Sequence, residues 1–366
     1  MSTRQRLVAG ALATLTAVAA VVLVVGRAPA PTPSSAELVA VASATRFLDT
    51  YVDPDGRVVR RDQGGDTVSE GQAYGMLLAV AAGDRERFRS IWGWTQANLL
   101  RPDGLLSWQW RDGTLVDRES AADADLDAAR ALVLAGNRFA DPALTAGGTA
   151  MATALLDHET AQTPLGLVLT AGTWATTAPW AVNPSYFSPA AATELAAATG
   201  DPRWPLVAAT GAAVTRKLLA RNPLPPDWAQ VSRSGDVTAT QAPDGASPRF
   251  SFDAARVVVR TAESCNPADR ALAATAATKL GGPVSDLRGS YALDGSPTVS
   301  WQHPLVLAAS AAADAAVGQQ NGAAAALDAA QQLDQRQPGY YGAAWVALGR
   351  VLLQTDLLNS CTGGTS

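Results

Sequence analysis

The sequence predicts an all-α fold with minor β structure, and three observations lead there. Past Ser35 the chain is a succession of Ala/Leu/Val-rich stretches of helical length separated by Gly, Pro and Asp. Several open on plain start signals: Asp201-Pro202 and Asn266-Pro267 each put a capping residue before a first-turn proline. Alternating β-branched runs are confined to short pieces such as Gly166–Thr170 and Asp227–Val231. Taken in order, twelve candidate helices begin near Ala36, Ser69, Arg85, Asp123, Pro142, Pro189, Pro202, Asp253, Pro267, Ser300, Gly322 and Gly342. That number suits a double ring of six inner and six outer helices, which periodicity alone does not separate from a helical solenoid. The alanine-rich stretches Ala308–Ala316 and Ala323–Ala330 read as close helix packing.

With 366 residues, 48% hydrophobic and 17% charged, the chain can bury a large core and is unlike a disordered protein. Its net charge of −5 and pI near 5.1, with no Lys/Arg cluster interleaved with aromatics, speak against a nucleic-acid partner. A neutral or cationic ligand suits such a surface. Ten Trp outnumber the six Tyr and the six Phe; an indole offers a sugar a flat apolar face, although most single tryptophans are core. Two histidines and two cysteines are too few for a His-rich metal site or a structural zinc cluster, and no metal or organic cofactor is expected. Cys265 and Cys361 are compatible with one disulfide in an oxidising compartment.

Arg4 and Arg6 precede 20 uncharged residues, Leu7 to Gly26, followed by Arg27 and a Pro-rich segment. The stretch is longer than a usual signal-peptide core of about 7–15 residues and close to the roughly 20 that span a bilayer. Cleavage after export and membrane association through residues 7–26 therefore both stand, and in either case the bulk of the chain is expected outside the cytoplasm, secreted or anchored. The expected organisation is 1–35 as signal peptide or anchor plus linker, and 36–366 as one domain.

Three polar clusters stand out. In Thr67–Met76, Thr67 and Glu70 have the T-x-x-E spacing of a capping box. Gly71 and Gly75 are poor helix residues and leave room for close approach to the backbone, while Tyr74 would share a face with Glu70. In Ser120–Asp127 three acids occupy five positions, and one is expected to cap the following helix. Asp123 and Asp125 cannot share a helix face, so at least one is left to bind substrate or to perturb another carboxyl. In Phe250–Val257, Asp253 stands among apolar residues with Arg256 three positions on. A buried ion pair opening a helix and a functional carboxylate fit this equally; a helix N-terminus favours the ionised form that a general base requires.

Ser69-Glu-Gly-Gln-Ala-Tyr-Gly-Met76, the Ala122-Asp-Ala-Asp-Leu-Asp127 stretch running on to Ala135 and Phe139, Asn183-Pro-Ser-Tyr186, Pro226-Asp-Trp228 and Phe252-Asp-Ala-Ala-Arg256 follow one another as in glycoside hydrolase family 8. The chain resembles that family from about Asp55 to Arg256, and within it the endoglucanases that accompany bacterial cellulose synthesis. The resemblance implies an (α/α)6 barrel, inverting cleavage of a β-1,4-glucan, and a cleft across the N-terminal ends of the inner helices. Carried over by position, it makes Glu70 the general acid, Asp253 the general base and Asp123 a substrate-binding aspartate beside them, with Trp108, Tyr186, Trp228 and Arg256 at or near the cleft. Tyr74 and Asp125, by their placement next to these acids, are expected to bind substrate too. Ala122 departs from the Ser or Thr usual in the family, and beyond Arg256 the likeness thins.

For such a pair to work, Glu70 must keep its proton near neutral pH, so Asp123 or Asp125, together with aromatic walls, must outweigh the helix dipole. Trp108, Trp110 and Trp228 have Gly/Pro-flanked, loop-like contexts and are expected to be glucose platforms, whereas Trp92, Trp94 and Trp345 read as core. Substrates in the family include cellulose, mixed-linkage glucan, xylan and chitosan. Aspartate at 253 favours the cellulase branch, and the acidic charge balance makes chitosan the runner-up. A non-catalytic glucan-binding component of a cellulose secretion system would keep the tryptophans and lose an acid; both acids are present. The expected partner is a polysaccharide, bound by a monomer.

Overall fold

The computed structural model describes residues 32–358 and Cys361. Residues 7–26 lie outside these, and among the described residues no helix is long and apolar enough to cross a membrane. The helices are α1 (Ser35–Tyr51), α2 (Ser69–Ala82), α3 (Arg85–Asn98), α4 (Ala122–Phe139), α5 (Pro142–His158), α6 (Pro189–Thr199), α7 (Arg203–Leu219), α8 (Phe252–Ala262), α9 (Pro267–Thr275), the single turn α10 (Ala277–Leu280), α11 (Pro304–Ala316), α12 (Gln320–Arg336) and α13 (Tyr340–Gln354).

Helices α2, α4, α6, α8, α11 and α13 pack neighbour to neighbour and back to α2, closing an inner ring, and α1, α3, α5, α7, α9 and α12 lie against it from outside. This is an (α/α)6 barrel; a solenoid would leave the ring open. Burial explains which helices are inner. Every residue of α2 from Gly71 to Ala81 is buried, and a helix that is apolar all round belongs in the interior. In α3 only the stripe Phe88, Ile91, Trp94 and Thr95 is buried, so it serves as an outer helix. The alanine-rich stretches do pack closely, with Ala308, Ala311, Ala323 and Ala326 in one cluster between α11 and α12.

The expected helix starts agree closely except at Ser300, since α11 begins at Pro304 with His303 as its cap. The residue before a proline avoids the helical region, so the helix cannot begin upstream. Asn266 caps α9 by accepting the Ala268 amide, as the Asn-Pro signal predicts. The glycines of α2 do admit close neighbours, but these belong to the protein: a Cβ on Gly71 would sit 2.6 Å from the Tyr340 hydroxyl, and one on Gly75 2.9 Å from a Val58 methyl. Gln72 is fully buried and satisfied. Its Oε1 accepts the Val58 amide, and its Nε2 donates to Thr95 Oγ1 (2.8 Å), tying α2 to α3 and to the loop before it.

Strands β1 (Thr67–Val68), β2 (Gln109–Arg111) and β3 (Thr114–Asp117) form one antiparallel sheet, β4 (Thr160–Thr163) and β5 (Gly166–Leu169) a hairpin, and β6 (Trp180–Val182), β7 (Ala229–Val231) and β8 (Val237–Ala239) another sheet. The two strand pieces expected from sequence are β5 and β7. β1 leads directly into α2, and the Ser69 amide donates to the Trp108 carbonyl at 2.9 Å, which fixes Trp108 at the entrance of that helix. Cys265 and Cys361 form a disulfide that links the α8–α9 turn to the segment after α13.

Candidate active site

A cleft of about 840 Å3 opens where the N-terminal ends of α2, α4, α8, α11 and α13 meet, a volume in the usual range for ligand sites. Glu70, Trp108, Asp123, Tyr186, Trp228, Asp253 and Arg256 all line it. Segments 183 positions apart in sequence are thus brought together by ring closure alone.

Arg256, 1% exposed, organises the floor. Its Nη1 donates to Glu70 Oε2 (2.8 Å), Asp123 Oδ2 (2.7 Å) and Tyr74 Oη (3.0 Å), and its Nη2 donates to Asp253 Oδ1 (2.6 Å). The Tyr186 ring lies 5.5 Å from the guanidinium carbon. Three carboxyl groups therefore share one cation, and such crowding favours keeping a proton on one of them. Glu70 is pushed up to about 8, chiefly by burial; Arg256 pulls it down, and Asp123 and Asp253 push it up again. Burial also raises Asp123 against the pull of Arg256. Arg256 is held well above its ordinary value because the surrounding tyrosines and acids outweigh its burial, so it stays charged.

Of the two acids expected to act on Glu70, it is Asp123 that does so. Asp125 faces away from the cleft, 0% exposed, and accepts the Leu106 amide at 2.8 Å. Burial, with Glu159 nearby, holds it well above the carboxylate range. Tyr74 is likewise 0% exposed, one turn below Glu70, with its ring edge-on to Trp345 at 5.4 Å. The expectation that Asp125 and Tyr74 touch substrate is corrected on this point: neither reaches the cleft, because two residues along a helix reverse the direction of a side chain and four residues carry it a full turn deeper. They brace the loop at Leu106 and the guanidinium of Arg256.

The capping expectations are also corrected. α2 has Val68 at its cap with no side-chain bond, and Thr67 Oγ1 donates instead to the Val58 carbonyl at 2.7 Å. α4 has Ala121 at its cap, again with no side-chain bond, and Asp123 Oδ1 accepts only the adjoining Ala124 amide. Long-range partners have displaced the local pairings that the spacing suggested. Glu70 is thereby free to turn into the cleft.

Aromatic rings wall the cleft. Trp108 is 36% and Trp174 45% exposed. Trp228 lies 6.3 Å from Trp174 and 6.2 Å from Tyr186, ring to ring. At the side formed by α8 and α11, exposed Phe252 packs near-parallel to Trp301 at 6.2 Å and edge-on to His303 at 4.7 Å. Burial lowers the His303 imidazole to about 4, and its Nδ1 accepts the Leu305 amide. Trp110, expected as a platform, does not line the cleft; it packs edge-on against Trp94 at 5.3 Å with Arg57 over its ring. Trp94 and Trp345 are buried and Trp92 packs on the same core, as expected.

Sequence reasoning missed Trp174, Phe252, Tyr341 and Asp227 as cleft residues. The loop context that pointed to Trp108 was present at Ala171-Gly-Thr-Trp174 as well. There Gly172 is required by close approach, since a Cβ would stand 2.4 Å from the Ser120 carbonyl oxygen and 2.8 Å from the Trp174 indole nitrogen. Among the described residues no group of three or more His, Cys, Asp or Glu side chains is placed to hold a metal ion.

Comparison with known proteins agrees with this geometry. The model of the family "Glycosyl hydrolases family 8" matches residues 34–279. A probable endoglucanase of Novacetimonas hansenii is 37% identical over 218 residues, 58% of this chain and 63% of that protein. An endoglucanase of Cellulomonas uda is 29% identical over 220 residues, 58% of this chain and 60% of its own length. This chain thus spans less than two thirds of the length of either relative. Among solved structures, the endo-beta-1,4-glucanase CMCax from Acetobacter xylinum superposes with a TM-score of 0.72 at 30% identity, covering 85% of this chain and 96% of that one.

Proposed function

The chain belongs to glycosyl hydrolase family 8, and from that premise we propose that it is an endo-acting β-1,4-glucanase that cleaves with inversion, Glu70 serving as acid and Asp253 as base. The observation that carries this is the sharing of Arg256 by three carboxyl groups, among which burial pushes Glu70 up to about 8 and so favours its acid form. Glu70 gives that proton to the glycosidic oxygen as its bond to the anomeric carbon breaks. Asp253 takes a proton from a water whose oxygen bonds the same carbon from the opposite face. Turnover leaves Glu70 ionised and Asp253 protonated, and solvent returns the proton. Glu70 and Asp253 accept from different nitrogens of the guanidinium, so its breadth and two hydrogen bonds separate them. An inverting pair of this kind works at about 6.5–9.5 Å, the separation that admits the attacking water. The tryptophans supply flat faces for glucose rings, and likeness to proteins described as endoglucanases supports a glucan.

Reducing-sugar release from carboxymethylcellulose tests the assignment. Glu70→Gln and Asp253→Asn should each lower turnover by about 10²–10⁴-fold, and proton NMR should show the α-anomer as first product. Wild-type turnover in either variant, or a β-anomer, would overturn it. A second reading has one observation in its favour: Asp62, Asp117, Glu119 and Asp244 line the cleft as well, which suits a cationic polymer. Faster release from chitosan than from cellulose derivatives would establish that alternative.

A further inference from the structure

Asp227 is unused by the proposed reaction, yet it is 9% exposed, lines the cleft and lies against the helix that carries Asp253. The first turn of a helix leaves backbone N–H groups without partners. α8 is opened by Ser251, whose side chain makes no capping bond. An aspartate within the first turn commonly turns back onto such amides, and Asp253 stands where it could. Two of those donors are already taken: Asp227 Oδ1 accepts the Ser251 amide at 2.9 Å and the Ala254 amide at 2.8 Å, one on each side of Phe252-Asp253. Asp227 is anchored in turn, with its own amide donating to the Arg249 carbonyl at 2.8 Å and its Oδ2 lying 3.6 Å from Arg249 Nε. The Asp253 carboxylate is left to Arg256 Nη2 and the open cleft.

We propose that Asp227 is a positioning residue for Asp253: by capping α8 from a distant loop, it keeps the Asp253 carboxylate off the helix backbone and turned toward the cleft. The charged groups that act on Asp227 are Asp253 and Arg249; burial and Asp253 together push it up to about 7, so its role near neutrality is that of an acceptor more than of a charge. The inference rests on Asp253 being the base.

Steady-state kinetics on a soluble cello-oligosaccharide separate the two ideas. Activity retained in Asp253→Asn would remove the base assignment itself. Given an inactive Asp253→Asn, Asp227→Ala should lower kcat by about tenfold or more, because displacements of an ångström at a reacting group carry that cost, with KM within about threefold of wild type. Asp227→Asn keeps an oxygen that can accept both amides and should recover most of the loss. Wild-type kcat in Asp227→Ala overturns the inference and leaves the base assignment standing. Equal losses in the Ala and Asn variants also overturn it, since charge and not the acceptor would then matter. If circular dichroism shows Asp227→Ala unfolded, Asp227→Ser, whose hydroxyl is too short to span both amides, is read in its place by the same criteria.

Discussion

Replacing Asp123 by Asn should draw the alkaline limb of the pH–rate profile down by about two pH units. Glu70 Oε2 and Asp123 Oδ2 accept from the same nitrogen of Arg256 at 2.8 and 2.7 Å, so these two oxygens are no farther apart than the two bonds laid end to end. That limit is about 5.5 Å, where two like charges repel by about 3 kcal/mol at an effective dielectric constant of about 20. The repulsion disfavours ionised Glu70 and is one of the causes holding it up near 8. Asparagine removes it, and Nη1 then serves Glu70 more fully, an effect of the same sign. Glu70 should lose its proton at lower pH, and the acid form needed for catalysis should disappear earlier as pH rises. The assay is kcat/KM against pH on a cello-oligosaccharide for both proteins, normalised to each maximum so that any uniform loss of rate drops out. A limb that stays in place would mean that Asp123 carries no charge against Glu70. A limb that moves upward would reverse the sign of the argument.

Two further outcomes follow from the cleft and the core. Trp174→Ala should raise KM for long cello-oligosaccharides by about tenfold, equivalent to about 1.4 kcal/mol of lost stacking, and leave short ones and the melting temperature unchanged because the ring is 45% exposed; a loss of thermal stability instead would make Trp174 a structural residue. Gly71→Ala should lower the free energy of unfolding in a urea titration despite a helix-propensity gain of about 1 kcal/mol. The new methyl would meet the Tyr340 hydroxyl at 2.6 Å, and Tyr340 is 1% exposed and wedged against Phe47 and Tyr51. Overpacking of that kind costs about 1–3 kcal/mol, so a more stable variant would show that Tyr340 yields.

The sequence by itself determined the helical architecture, because its signals are local. Start residues such as Asn266-Pro267, apolar stretches of helical length and the scarcity of alternating β-branched runs act within a few positions along the chain, and the helices fall where those signals stand. The ordered motifs around Glu70, Asp123, Tyr186, Trp228 and Asp253 also named residues that do meet in the cleft. What only the tertiary structure decided is which partner each polar group takes. Thr67 prefers the Val58 carbonyl to a capping box, Asp125 turns to the Leu106 amide, and Asp227 caps a helix remote from it in sequence. Each of these bonds reaches beyond the helix whose start it affects, to a preceding loop or helix end, so the residue spacing at that helix start does not encode it. The same holds for the proton on Glu70. Burial and the neighbouring carboxyl groups of Asp123 and Asp253, brought there by the closed barrel, raise it against the pull of Arg256 and of a helix end that would by itself favour the ionised form.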